Sequence, residues 1–161
     1  PIDNLTINGS LAILDAEYDS FIENGLDVSD NRAFPHAPEM TASLGADWQV
    51  IEGNWGRLNL IGDVNYVSSY YTYPYQLTPT DPTAQVAGNS ESDGRTIVNL
   101  RAIASEIPLG GVDASVSLWV RNLTEEDSPS NFIDFGPSFG GILLGYFPEP
   151  RTFGATLGIE F

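Results

Sequence analysis

The sequence predicts an all-β fold: an antiparallel, up-and-down transmembrane β-barrel segment of about six strands. Three observations predict it. Apolar and polar residues alternate in six separate runs, and a strand turns successive side chains to opposite faces. Each run is roughly ten residues or slightly more, the length a tilted strand needs to cross a bilayer, whereas ordinary strands hold about five or six. Connections between the runs alternate between short and long, as in outer-membrane barrels with tight turns at one end and long loops at the other.

The first strand is expected over residues 4–15, with Leu5, Ile7, Leu11 and Ile13 opposite Thr6, Asn8 and Ser10. The second covers residues 39–50, where Met40, Ala42, Leu44, Ala46, Trp48 and Val50 oppose Thr41, Ser43, Gly45, Asp47 and Gln49. The third covers residues 56–68, with Leu58, Leu60, Val64 and Tyr66 opposite Asn59, Asp63 and Asn65. In the fourth, residues 95–105, Val98, Leu100, Ala102 and Ala104 oppose Asn99, Arg101 and Ser105, with Ile97 and Ile103 out of pattern. In the fifth, residues 112–122, Ala114, Val116, Leu118 and Val120 oppose Asp113, Ser115, Ser117 and Arg121, with Trp119 out of pattern. The sixth, residues 152–161, sets Phe153, Ala155, Leu157, Ile159 and Phe161 against Thr152, Gly154, Thr156, Gly158 and Glu160.

Residues 51–54 and 107–111 read as short turns, and residues 16–38, 69–94 and 123–150 as long loops. Loops of that length are uncommon in compact domains and are usually functional. With Phe161 at the periplasmic end, every short turn falls in the periplasm and every long loop outside. Tyr66, Tyr70, Tyr71, Tyr73 and Tyr75 gather where the third strand would leave the outer leaflet, and tyrosines favour membrane interfaces.

Composition narrows the function. The net charge is −16, and all six basic residues are Arg. Nucleic-acid binding needs a basic footprint, so it is excluded as a partner class. No run approaches about eighteen consecutive apolar residues, which excludes a transmembrane helix but not a barrel. The chain has no Cys, so thiol catalysis and disulfide staples are absent. It opens at Pro1 almost directly on a strand pattern, as expected of a piece of a longer polypeptide.

No motif supports catalysis, and no enzyme activity, cofactor or metal is expected. His36 is the only histidine and lies in a Pro-flanked stretch. Gly-x-Ser-x-Gly is absent, and residues 136–141 are a Gly-rich turn with neither the Lys nor the helix of a phosphate cradle. The acidic groups Asp27, Asp30 and Asn31, then Glu91 and Asp93, then Glu125, Glu126 and Asp127 offer calcium-type oxygen ligands without calcium-loop spacing. They read as solvated loop surface. The two Asn-x-Thr triplets at Asn4 and Asn122 lie in or beside strands and are set aside as glycosylation sites.

The polar strand faces are the better candidates. Asp47, Asp63, Asn65, Asn99, Arg101 and Arg121 would line a barrel lumen as ligand-binding residues. Arg101 and Arg121 could pair with Asp63, Asp113 or Glu160 across neighbouring strands. Solvated, paired and plug-contacting roles all remain open at this point.

Three segments resemble the C-terminal barrel region of TonB-dependent outer-membrane receptors. They are residues 14–21 with Asn31-Arg32 and Ala37-Pro38-Glu39, the stretch Leu118-Trp119-Val120-Arg121-Asn122-Leu123-Thr124, and residues 148–154 with the ending on Phe161. The resemblance implies a plugged barrel of about 22 strands, with residues 1–161 supplying the last six. It implies import of a scarce ligand, of siderophore, cobalamin or glycan class, across the outer membrane of a Gram-negative bacterium. The implied partners are outer-membrane lipid, the remaining barrel and plug, the TonB complex through an N-terminal part, and the barrel-assembly machinery, which would read Phe161. Plug and TonB-contacting segment are not in these residues. Six strands alone leave two unpaired edges, which suggests an alternative: a released barrel fragment assembling edge to edge into an extracellular fibre. A soluble β-sandwich binding module is the third reading. It would put Leu44, Val116 and Leu157 together in a dry interior.

Overall fold

Leu44, Val116 and Leu157 do not meet in an interior: they are 55%, 36% and 78% exposed. In the computed structural model, which describes residues 4–160, they stand on one open face of a single six-stranded sheet. The strands are β1 (Leu5–Ile13), β2 (Met40–Gly53), β3 (Gly56–Val67), β4 (Arg95–Leu109), β5 (Val112–Arg121) and β6 (Thr152–Glu160). Each pairs antiparallel with its sequence neighbour, giving the order β1-β2-β3-β4-β5-β6. Among the described residues no second sheet covers either face, so the sandwich reading is overturned. Phe161, the expected assembly signal, lies outside the described residues.

Register places the alternation as the residues require. Ala42 faces Tyr66, Leu60 faces Ala102, and Leu118 faces both Ala102 and Ala155 across successive strand pairs. The opposite face carries Asp63 against Asn99 and Arg121 against Thr152. A slip of one residue would exchange the two faces, so the pattern itself specifies the pairing.

Two strands run further than the alternation suggests. β2 continues to Gly53 and β4 to Leu109, so the short connections shrink to two-residue turns at Asn54–Trp55 and Gly110–Gly111. The cause is a β-bulge in each, between Gln49 and Ile51 and between Ala104 and Ile107. A bulge inserts one residue and interrupts period 2 without ending the strand. Beyond it Ile51 faces Leu58 and Ile107 faces Ala114, which restores the apolar face. Val50, expected on that face by strict alternation, is the inserted residue. Glu106 at the second bulge has φ 54° and pairs with Arg57 at 3.1 Å. Gly56 sits against this bulge with φ 126°, and a side chain there would strike the Ser105 carbonyl.

The long connections all emerge at the end of the sheet away from those turns. They are not structureless: they hold small ladders pairing Ile22–Glu23 with Leu26–Asp27, Tyr70–Tyr71 with Glu91–Ser92, and Asn131–Asp134 with Leu143–Tyr146. They also hold the buried apolar residues, Ala33 and Ala87, with Thr72, Ser90 and Ser92 buried beside them.

Candidate functional site

On the polar face, register sets Asn99 directly opposite Asp63. Asp63 accepts from the side-chain amides of Asn99 at 2.8 Å and Asn65 at 2.7 Å. Two strands further on, Trp119 faces Gly154, and a Cβ there would lie 2.5 Å from Trp119 Cζ2. The indole therefore lies flat over the glycine. It also lies 5.3 Å beneath the Arg121 guanidinium, a cation–π distance. Trp119 breaks the sequence alternation because it belongs to this polar face.

These residues surround one concavity of about 500 Å³, lined by Asp63, Asn99, Arg101, Trp119, Arg121 and Thr156, among others. Four of the six expected lumen residues are thus brought together. Asn65 is tied to them through Asp63. Asp47 stands apart, accepting from Asn59 at 2.9 Å.

Of the roles left open for the two arginines, pairing with Asp63, Asp113 or Glu160 is not the one the sheet adopts. Arg101 donates to Ser117 Oγ at 3.2 Å, and neither Arg101 nor Arg121 makes an ion pair with Asp63, Asp113 or Glu160. Register explains it. Asp113 and Glu160 face each other at the short-turn end, while Arg121 faces Thr152 at the loop end. Arg32, Arg57 and Arg151 each find a glutamate. Among the described residues, neither of the two arginines that reach the concavity has a carboxylate within ion-pair distance, although Asp63 lines the same space. The site can hydrogen-bond, stack and attract anionic groups.

Above it the loops form one connected cluster. The first joins the second through Ala33 N–H to the Tyr75 carbonyl at 3.0 Å and His36 N–H to the Tyr71 carbonyl at 2.8 Å. The second joins the third through hydroxyls: Tyr70 donates to the Ser130 carbonyl at 2.7 Å and Tyr73 to that of Phe132 at 2.8 Å. Tyr73 and Tyr75 stack at 4.9 Å. Burial, then the neighbouring Asp134 carboxylate, pushes the Tyr75 phenol up to about 12. Tyr70, Tyr73 and Tyr75 thus serve loop packing, where the sequence suggested a membrane-interface belt.

Asn122 enters the sequence reading as the end of the fifth strand, as part of a family-like stretch and as a discounted glycosylation triplet, with no structural role of its own. It is 3% exposed and bridges the two ends of the third loop. Its signal in the sequence is its place directly after the last strand residue, where a left-handed residue with a short amide can turn the chain.

Residues 3–123 match the family model described as TonB dependent receptor-like, beta-barrel. Among solved structures, the chain is similar to BauA, the ferric preacinetobactin receptor from Acinetobacter baumannii. The identity is 22% and the TM-score 0.65, over 100% of this chain and 20% of that one. At that identity the likeness is one of fold, and the chain spans only that share of the larger receptor's length. No curated protein matches it.

Proposed function

The chain belongs to the TonB-dependent receptor β-barrel family, and from that membership we propose that it is the C-terminal part of an outer-membrane importer. It works with the remaining barrel strands, a plug and the TonB complex. The apolar face of the sheet meets lipid and the polar face lines the lumen. The three long loops stand on the extracellular side of a Gram-negative outer membrane, and the barrel-assembly machinery inserts the chain through its terminal Phe161. Asp63, Asn99, Arg101 and Arg121, with Trp119, contact the ligand in the outer half of the lumen. Asp47 and Asn65 line the same wall. The protein's part is binding and passage, with no covalent chemistry.

One observation carries the reading. The wide apolar band at Leu44, Val116 and Leu157 is open, on a sheet whose four inner strands are paired on both sides. Soluble proteins rarely expose so large a contiguous patch, whereas hydrocarbon requires it of a barrel.

Uptake by the full-length polypeptide that carries this chain tests the proposal. Radiolabelled ferric hydroxamate, cobalamin and a maltooligosaccharide serve as probes in cells with and without TonB. Uptake of one probe that vanishes without TonB, and falls in the Arg101→Gln/Arg121→Gln double variant, is the expected result. A correctly assembled barrel that takes up none of the three would sink the importer reading. The free edges of β1 and β6 favour a second reading, edge-to-edge assembly into a fibre. Electron microscopy of the purified chain showing only monodisperse particles would dispose of it.

A further inference from the structure

We propose that Asn99 and Asn122 form a strut that seats the loop of residues 123–151 on the lumen-face site, so that a change at Asp63 is felt at the root of that loop. This rests on the reading of the polar face as lumen and of the loop as its outer cover.

The strut is a continuous hydrogen-bonded path. Asn99 is planar and bifunctional: its Nδ2 donates to Asp63 Oδ2 at 2.8 Å, and its Oδ1 accepts from the backbone N–H of Asn122 at 3.0 Å. Turning the amide to break one bond disturbs the other. Asn122 carries the path into the loop. Its Oδ1 accepts from the Glu126 N–H at 2.9 Å. Its Nδ2 donates to the carbonyls of Glu126 at 2.8 Å and Glu149 at 2.9 Å. One side chain therefore joins the outgoing and returning ends of a long loop.

The residue type is demanded at both positions. Asn122 has φ 50°, a conformation that asparagine adopts more readily than most residues. Aspartate would keep the acceptor but lose both donors, and alanine would leave the Glu126 N–H and two carbonyls to find other partners. Burial raises the stakes, because a shielded polar network is strong when complete and costly when broken. No side-chain hydrogen bond of Asn99 or Asp63 reaches residues 123–151 directly. The main chain of β4 also holds the loop root, where the Val98 carbonyl accepts from the Leu123 N–H at 2.8 Å and the Thr96 carbonyl from the Thr124 hydroxyl at 2.9 Å, so the side-chain link from Asp63 to the loop is the one through Asn122. That makes them positioning residues for the loop as well as lining of the site.

Hydrogen-exchange mass spectrometry of the full-length polypeptide in detergent provides the test, on peptides covering residues 123–130 and 147–151. Asn122→Ala should speed exchange there by about tenfold, as expected for lost buried hydrogen bonds. Asn99→Ala and Asp63→Ala should speed the same peptides by about two- to fivefold, and the double variant Asp63→Ala/Asn122→Ala should fall short of the product of the singles. Thr156→Ala, which lines the concavity off the path, should change nothing. Should either alanine variant fail to assemble, judged by heat-modifiable gel migration, the near-isosteric Asp63→Leu and Asn99→Leu, which remove the same acceptor and donor, replace them with the same expectation. Exchange at the wild-type rate in both the Asp63 and Asn99 variants would overturn the strut. Failure of uptake with this coupling intact would count against the importer alone, and intact uptake without coupling against the strut alone.

Discussion

Leu44, Leu118 and Leu157 stand open on the sheet, whereas Ala33, Ala87, Ser90 and Ser92 are shut inside the loops. The sheet exposes its largest apolar side chains and satisfies its main chain strand by strand. The loops bury small residues and satisfy their main chain with tyrosine hydroxyls and asparagine amides. On the proposed importer reading, the difference tracks the solvent each region meets. Hydrocarbon accepts leucine and rejects an unpaired amide, so the sheet needs full ladders and no interior. Water accepts an unpaired amide and disfavours exposed leucine, so the loops are held together by packing and hydrogen bonds of their own.

The largest expected effect sharpens this contrast. Leu118→Arg puts a cation on the open apolar face near the middle of β5 and, if that face meets lipid as proposed, should cost about 2–4 kcal/mol in urea unfolding from bilayers. Leu26→Arg in the first loop, also exposed, should stay within about 0.5 kcal/mol. Equal costs at the two positions would break the comparison.

A smaller effect probes the sheet from its polar side. Gly154→Val forces Trp119 off the glycine it covers, and should cost about 1–3 kcal/mol as an overpacked contact. The displaced indole should shift its fluorescence emission. An unmoved spectrum would mean that the glycine is not what seats Trp119.

The smallest effect belongs to the loops and depends on pH. Backbone N–H donors from Phe21 and Ser29 hold the Asp27 carboxyl below its ordinary 3.8. The Thr83 hydroxyl and N–H do the same for Asp81, and Ser128 holds Glu126 below its ordinary 4.5. A lowered carboxylate contributes stability that is whole above its ordinary value and fades as pH falls through the lowered one. Hydrogen exchange in residues 16–38 and 123–130, corrected for the intrinsic rate at each pH, should therefore show less protection at pH 3 than at pH 5, with protection in β2–β5 unaltered. Loop protection indifferent to pH across that interval would remove the carboxylates from the account.

Much of the sheet was legible because its rule is simple. Leu5, Leu44 and Leu157 could be assigned to one face by counting in twos. Counting failed where an inserted residue reset it, at Val50 and near Glu106, so two strands extend past their expected ends. At Trp119 counting gave the right face and residue type misled, because room for an indole there comes from Gly154, on a strand more than thirty residues away in sequence. The site was half legible. Asp63, Asn99, Arg101 and Arg121 could be placed on a polar face, but pairing Asp63 with Asn99, and neither arginine with a carboxylate, depended on register. The tyrosines misled because an amphipathic ring suits an interface and a loop cluster equally well.

The order of side chains along the chain determined by itself that there are six long strands, which face of each is apolar, and that long connections alternate with short ones. These follow from local geometry, since neighbouring residues on a strand must point opposite ways. Only the folded sheet decided which residue of one strand faces which of the next. Loop packing likewise had to await the fold, because Asn122 reaches Glu149 and Tyr73 reaches Phe132 through space that no local pattern along the chain describes.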